Sequence, residues 1–556
     1  MWDFTRLGVI VLFCRILLGQ SSDAPRFEMA DVHNSAKTDS DAVRVSPPRN
    51  GRYEIRNATM LNLIGIAFGF EAGKILGGPN WLELDRYDVI AKVPADSTPE
   101  TQKLMLQALL KDRFKLVAHE DTKPVMAWVL TVAKKPQMKE ADGAGETGCK
   151  IQNGSGAPGE PGPRFFRANP DGTTTVINLG SGMTIQYSCR NITMAAFAAG
   201  LRTMEFSRLN TGVQDQTGLK GKWNFDVKWS LPLFAPMANS GERITVSDAL
   251  EKQLGLKLEE VPVPAKALVV DSVERKPTDN PPGVKEALPE IAPPTEFEVA
   301  DVKLADPNPG PGLPPLFGLR MQPGGRFVAE GLPMRLLLDR AFKLTNMDQI
   351  AGMPGWVDSV RVSITAKVAG DYPAPGLGGM DREFIATLLR SLLAERFGLV
   401  WHTEQRLGTA YSLVADKPKM KKADPRSRIY CRNTPPGPNQ APNGQVLNCQ
   451  NASMALFAER LQNIPAIGAP VDDATGLDGG WDFSFSYNPL LPISLRGLGR
   501  LGDQPAGPGA PVASDPAGGY TVFESIAKEL GLKLEKKKKM VPVTVIDQLN
   551  QKPTEN

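Results

Sequence analysis

"RNATM" at residues 56–60 returns as "RNITM" at 190–194, and weaker relatives stand at 330–334 ("EGLPM") and 450–454 ("QNASM"). Counting from each Met, positions i, i+3, i+4 and i+7 are apolar: Met60, Leu63, Ile64, Ala67; Met194, Phe197, Ala198, Leu201; Met334, Leu337, Leu338, Ala341; Met454, Phe457, Ala458, Leu461. That spacing is the stripe of an amphipathic helix. The residue ahead of each Met is Thr59, Thr193, Pro333 or Ser453. Ser and Thr cap helix starts and Pro suits the first turn. Upstream, "YEI" (53–55) and "TIQYSC" (184–189) read as strands. The motif is therefore expected to be a strand-to-helix junction rather than a ligand loop.

Working outward, the whole chain matches itself. "GGPNWLELDRYDVIAKV" (77–93) aligns with "GMPGWVDSVRVSITAKV" (352–368), and "LLKDRFKLVAHE" (109–120) with "LLAERFGLVWHT" (392–403). Likewise "QTGLKGKWNF" (216–225) aligns with "ATGLDGGWDF" (474–483), "EKQLGLKLE" (251–259) with "AKELGLKLE" (527–535), and each half closes on "KPT". The chain is a tandem duplication. The join, "PTDNPPGVKEALPEIAPPTE" (277–296), is Pro-rich and charged and reads as a semi-stiff linker. The expected organisation is a signal peptide at 1–24, a first repeat domain at 26–276, a linker at 277–295 and a second repeat domain at 296–556. Each half reads as two βαβ-βαβ-like units, an α+β arrangement with mixed sheets and helices on one face. A helix is expected where Leu106, Leu109, Leu110 and Phe114 share a face, and another over "SDALEKQLG" (247–255), capped by Ser247 and stopped at Gly255.

A 41% hydrophobic content suits folded domains, and 64 basic against 61 acidic residues leave a net charge of +3. That balance excludes the large basic excess that nucleic-acid binding uses. The dense run Lys536–Lys539 reads as a solvated turn between Leu534 and Val541. Arg6 followed by the apolar stretch Leu7–Leu18 resembles a secretory signal, too short to span a bilayer comfortably. The expected location is periplasmic or secreted, with an uncleaved N-terminal anchor as the alternative. Beyond Cys14, each half holds two cysteines, Cys149 and Cys189, then Cys431 and Cys449. One pair per duplicate behind an export signal predicts one disulfide per half, Cys149–Cys189 and Cys431–Cys449.

The search for chemistry finds little. Of three histidines, His119 and His402 are equivalent across the repeat, and each is expected on a half-buried strand beside a polar neighbour. Asp215 and Asp473 recur ahead of a Thr-Gly turn that a capping carboxylate explains. "GFEAGKI" (69–75) imitates a phosphate loop but is one residue short and carries Ile75 where a magnesium-holding hydroxyl belongs. No nucleophile elbow, dinucleotide fingerprint or zinc spacing is present, so no catalytic residue, metal or cofactor is assigned. The matched Trp81 and Trp356, with His119 and His402, are the candidate binding residues.

"FEVADVK" (297–303), "GGPNWLELDRYDVIAK", "LLKDRFKL", "TGLKGKW", "EKQLGLKLE" and the closing "KPT" together resemble a soil-associated bacterial family built on a domain of unknown function. The resemblance implies an exported protein, and relatives in which the domain is attached to membrane-bound metallopeptidase sensors of the beta-lactam-response type. This chain lacks the His-Glu-x-x-His of that peptidase, so no protease activity follows, and the resemblance carries no catalytic residues. The short strand–helix units are also similar to small modules at the N-terminus of secretins and TonB-dependent receptors, a fold-level likeness alone. The leading expectation is a non-enzymatic envelope or secreted binding module with an envelope protein as partner. The alternatives are an extracytoplasmic hydrolase using dispersed carboxylates, and a sensor-type ectodomain acting with a membrane partner.

Overall fold

A computed structural model describes residues 25–38, 41–152, 164–168, 174–178, 184–204, 209, 212–230, 244–306, 319–368, 382–434, 445–487 and 521–555. The expected signal segment and Cys14 lie outside them. The fold is α+β, with two repeated halves and mixed sheets.

In the first half, β1 (Met29–Asn34), β2 (Arg44–Arg49), β3 (Arg52–Thr59) and β5 (Arg86–Lys92) form an antiparallel sheet in the order β1-β5-β3-β2. Helices α1 (Met60–Phe68) and α2 (Pro99–Phe114) cover it, and β4 (Ile75–Gly77) lies between β3 and β5 in sequence. A second unit repeats the plan, with β7 (Lys139–Glu140), β8 (Gly148–Gln152), β11 (Thr184–Ile192) and β13 (Trp223–Ser230) under α3 (Met194–Met204). The small hairpin of β9 (Arg164–Ala168) and β10 (Thr174–Asn178) stands apart from that sheet.

Two long strands tie the units together. β6 (Val117–Val132) and β14 (Leu256–Ser272) pair antiparallel along nearly their whole length. One end of β14 puts Leu256 and Leu258 into the second unit's core, and the other puts Leu268 and Val270 into the first. Short parallel strands finish each end: β4 beside β14, and β12 (Val213–Asp215) beside β6. The second half repeats this ribbon with Val400–Ala415 and Leu532–Gln548. Lys536–Lys539 therefore lie inside a strand, opposite Gly408–Tyr411, and not in a turn. Lys537 and Lys539 reach across to Asp472 (2.7 and 3.1 Å), whose single carboxylate offsets part of the charge on the face they share.

The pentapeptides are the junctions. Asn57, Asn191, Gly331 and Asn451 all take a left-handed backbone (φ 57, 50, 58 and 47°). At each one the strand slips register: between Ile55 and Ala58, Cys189 and Ile192, Ala329 and Leu332, Cys449 and Ala452. This is a β-bulge, which turns the chain out of the sheet toward the helix. The backbone N–H of each left-handed residue donates to a side chain on the next strand: Asp88 (2.8 Å), Asn224 (2.8 Å), Ser363 (3.0 Å) or Asp482 (2.9 Å). Two residues on, Thr59, Thr193 and Ser453 accept from the N3 backbone amide as caps. Pro333 supplies no side-chain cap. The apolar stripes, Met60, Leu63, Ile64 and Ala67 among them, are fully buried.

Other sequence details fall into place or shift slightly. Asp215 and Asp473 each accept from the Thr two residues on, through both its N–H and its hydroxyl. "KPT" is a clasp: the Thr278 N–H donates to Arg113 O (2.9 Å) and Arg113 Nε returns to the Thr278 hydroxyl (3.0 Å). Thr554 and Arg396 do the same work, through Thr554 N–H to Arg396 O (2.8 Å) and Arg396 Nη2 to Thr554 O (3.0 Å). The cap of the helix over 247–255 is Thr245, one turn-start earlier than Ser247, and the helix widens to a π turn over Leu250–Leu254 before Gly255. The join does not hang free. Val284 and Leu288, around a short helix (Val284–Ala287), are buried against Ile90 and Met29 on the face of the first sheet away from α1 and α2.

Asn451 does two jobs, since its Nδ2 also donates to Pro425 O (3.1 Å) and Ser427 O (2.7 Å). Asn451→Gly keeps the backbone but loses both bonds, an expected cost of about 1–2 kcal/mol. Asn451→Val adds the left-handed penalty of roughly another 1–2 kcal/mol. Urea unfolding measures both, and equal stability of the two variants would remove the backbone argument.

Candidate functional site

The two halves meet along a seam that the duplication did not copy. The segment "DPRSRIYCR" (424–432) of the second half lies against β4 and the loop after it. Arg428 Nη2 donates to Ile75 O (3.0 Å) and Gly77 O (3.1 Å), carbonyls on the free edge of β4. Ile429 N–H donates to Asn80 O (2.8 Å), and Asn80 Nδ2 donates to Pro425 O (2.9 Å). Farther along, Asp41 is shared between Arg86 (2.7 Å) and Arg460 of the second half. Glu83 lies under Arg428 and Arg432 (3.8 and 3.9 Å), with its Oε1 making no hydrogen bond. Burial pushes the Glu83 carboxyl above its ordinary range, and the two arginines offset that only in part.

Beside the seam opens a cleft of about 1160 Å³. Its floor is the first ribbon, through Pro124, Met126, Trp128 and Glu260. Its wall is a hairpin of the second half, Tyr430–Thr434 paired with Gln445–Ala452. Cross-strand partners share a face, so Tyr430 with Gln450, Arg432 with Asn448, and Thr434 with Val446 all front the cleft. The Arg432 guanidinium sits 4.1 Å from the centre of the Tyr430 ring, a cation–π contact that orients it. Behind this wall Cys431 and Cys449 face the core and form a disulfide, with Cα atoms 4.1 Å apart. Cys149–Cys189 is the matching bond in the first half. Both pairings are those expected, and each joins directly opposed residues of neighbouring strands. Aligned on the cysteines, Arg426, Arg428, Tyr430 and Arg432 correspond to Ala144, Glu146, Gly148 and Lys150. This unequal clustering of arginine is the signal in the sequence, visible only where the two copies differ.

The candidates from sequence lie elsewhere. Trp81 is 9% exposed, in the first unit's core, with the Arg275 guanidinium 5.9 Å from its ring centre. Trp356 is half-buried against the corresponding core of the second half. His119 and His402 occupy the same ribbon position and are more exposed than a half-buried strand would leave them, at 55% and 51%. Nδ1 of each contacts a carboxylate across the ribbon, Asp271 or Asp547, at 2.9 Å. The hydrogen bond to Asp547 holds the His402 imidazole above its ordinary value. The third histidine, His33, comes together with Asp88 and Glu290, their ligand atoms within 4.8 Å. Arg56 Nη1, however, donates to both carboxylates (3.0 and 3.3 Å), so a side-chain cation already stands where a metal would go. Burial opposes ionisation of Asp88, but Asn57 N–H, Ser35 and Arg56 outweigh it and hold its carboxyl below the ordinary range.

A tandem α+β duplicate with an asymmetric seam and one disulfide per half is thereby defined. The chain belongs to the family described as a protein of unknown function (DUF3738), which matches residues 61–273 and again 335–549. Each match opens directly after the Met of a strand-to-helix junction. No curated protein matches the chain, and no solved structure does.

Reduction is expected to cost about 2–4 kcal/mol per bond in urea unfolding, and peptide mapping without reductant should recover both disulfides. For His402 the raised value means that any stabilisation by the pair is present at low pH and lost as pH rises through the folded-state value. Its NMR titration should therefore fall at a higher pH than in Asp547→Asn; coincident curves would show that the pair does not form in solution.

Proposed function

We propose that the chain is an exported, non-enzymatic binding module that takes a polar ligand or partner segment in the cleft between its halves. The observation that carries this reading is the cleft wall. Arginine, two amides and a tyrosine converge there on a surface absent from the first copy, opposite an apolar floor containing Met126 and Trp128. A concave site with a few convergent polar groups is the usual form of a recognition site. Disulfides in both halves support a location outside the cytoplasm, and among the described residues no helix is long and apolar enough to cross a membrane. An envelope partner, including a membrane protein that uses this chain as its sensor ectodomain, is consistent with the same cleft.

Cross-linking in the native envelope, followed by capture of the tagged chain, tests the idea. A stoichiometric partner should cross-link beside residues 430–450, and Arg432→Glu with Asn448→Asp should reduce its recovery about tenfold. Capture without a partner, or recovery indifferent to those changes, would sink it. A second reading, an extracytoplasmic hydrolase, is favoured only by the paired His119–Asp271 and His402–Asp547. Any hydrolytic activity that survives His119→Gln with His402→Gln excludes these pairs as its base.

A further inference from the structure

We propose that the second ribbon carries its own docking groove, for an acidic, extended segment of a partner protein. Along Leu532–Gln548, alternate residues share a face. Leu532 and Leu534 pack in one core of the second half, and Ile546 packs in the other. Between them, on that same face, stand Lys536, Lys538 and Met540, directly opposite Tyr411, Thr409 and Leu407. Leu407 is 70% exposed and Met540 52%. Two cores flank a span with apolar Leu407 and Met540 at one end and Lys536 and Lys538 at the other, and Asp348 at its margin accepts from the Thr409 hydroxyl (3.1 Å).

The first half carries the same span beside a protein contact. The corresponding stretch there, Pro124, Met126, Trp128 and Glu260, is the floor of the cleft that the second half walls on one side. Beside that floor Glu83 meets Arg428 and Arg432 of the second half, and Glu260 lines the same cleft. On the second ribbon the charge is inverted: Lys536 replaces Glu260 and Lys538 replaces Pro262, while Leu407 and Met540 replace Pro124 and Pro264. The complementary guest is therefore acidic. It is extended because Lys536 and Lys538 lie two residues apart on one face, about 7 Å, the spacing of alternate side chains in a strand. Among the described residues, Ile350–Ala351 covers the outer edge of this ribbon only at Thr544–Val545, and Val471–Asp473 covers the other edge only at Tyr411–Leu413. Among the described residues no strand pairs with the outer backbone edge beside the lysines, where an added strand would lie. A second copy of the chain fits poorly. Its Glu146, in the place of Arg428, would face the carbonyls of Ile350 and Gly352 and the carboxylate of Asp358.

Fluorescence anisotropy of the full chain with a labelled peptide of alternating glutamate and valine tests the groove, with a lysine–valine peptide as control. The acidic peptide should bind selectively and more weakly as salt rises. Lys536→Glu with Lys538→Glu should weaken it roughly tenfold or more, and Leu407→Ser with Met540→Ser several-fold; Lys536→Gln with Lys538→Gln and a near-ultraviolet spectrum control for folding. Equal binding of both peptides, or affinity unchanged by the lysine variants, overturns the proposal. So does preferential binding to phosphatidylglycerol vesicles, which would assign the face to a lipid surface. Self-association in sedimentation that the lysine variants abolish would assign it to a second copy and overturn the proposal equally.

Discussion

One hydrogen bond, made four times, organises the molecule: the backbone N–H of a left-handed residue in a strand, donated to a side chain of the adjacent strand. A left-handed residue costs an L-amino acid about 1–2 kcal/mol, and a buried N–H without an acceptor costs about as much again. The acceptor and the bulge therefore depend on each other. Asn is the side chain that tolerates this conformation best after Gly, which explains why the recurring letters are Asn, Asn, Gly and Asn. Once the strand has turned, the next residues can cap a helix, and its apolar stripe drops onto the sheet just left.

Four such units would be separate small domains were it not for the ribbons. A unit of this size buries too little apolar surface to be robust alone. By running a continuous pair of strands from one core to the other, each half makes two small cores share one backbone. Gly77 and Gly352 mark where this demands close approach. Both have positive φ, and a Cβ there would lie 2.8 Å from Val270 O or against Ile546 O of the ribbon.

Much of this was legible in the sequence, and what was not has a common cause. Helix stripes, caps, the Thr-Gly turns, the duplication and both disulfides depend on local spacing or on comparing like with like. The ribbon depends on pairing strands such as Val117–Val132 and Leu256–Ser272 across more than a hundred residues, and their period-two pattern is blurred because the middle of each buries the face opposite to the one its ends bury, Val263 and Ala267 against Leu256, Leu258, Leu268 and Val270. For the same reason Lys536–Lys539 read as a turn: their strand partners Gly408–Tyr411 and the Asp472 that holds Lys537 and Lys539 are all distant in sequence. The cleft depended on noticing where the copies differ rather than where they agree.

The seam between the halves has a property that neither half has alone. It joins one surface of the first copy to a different surface of the second, so it is head-to-tail rather than self-complementary. Contacts of that kind are not self-limiting, and between identical subunits they build closed rings or open filaments according to the rotation they impose. A gene that had merely doubled would have encoded such a polymerising unit. Glu146 in the place of Arg428, and Gly355 in the place of Asn80, remove two side-chain donors a third half would need. Divergence of the copies thus acts as an end-stop on assembly as well as shaping a cleft.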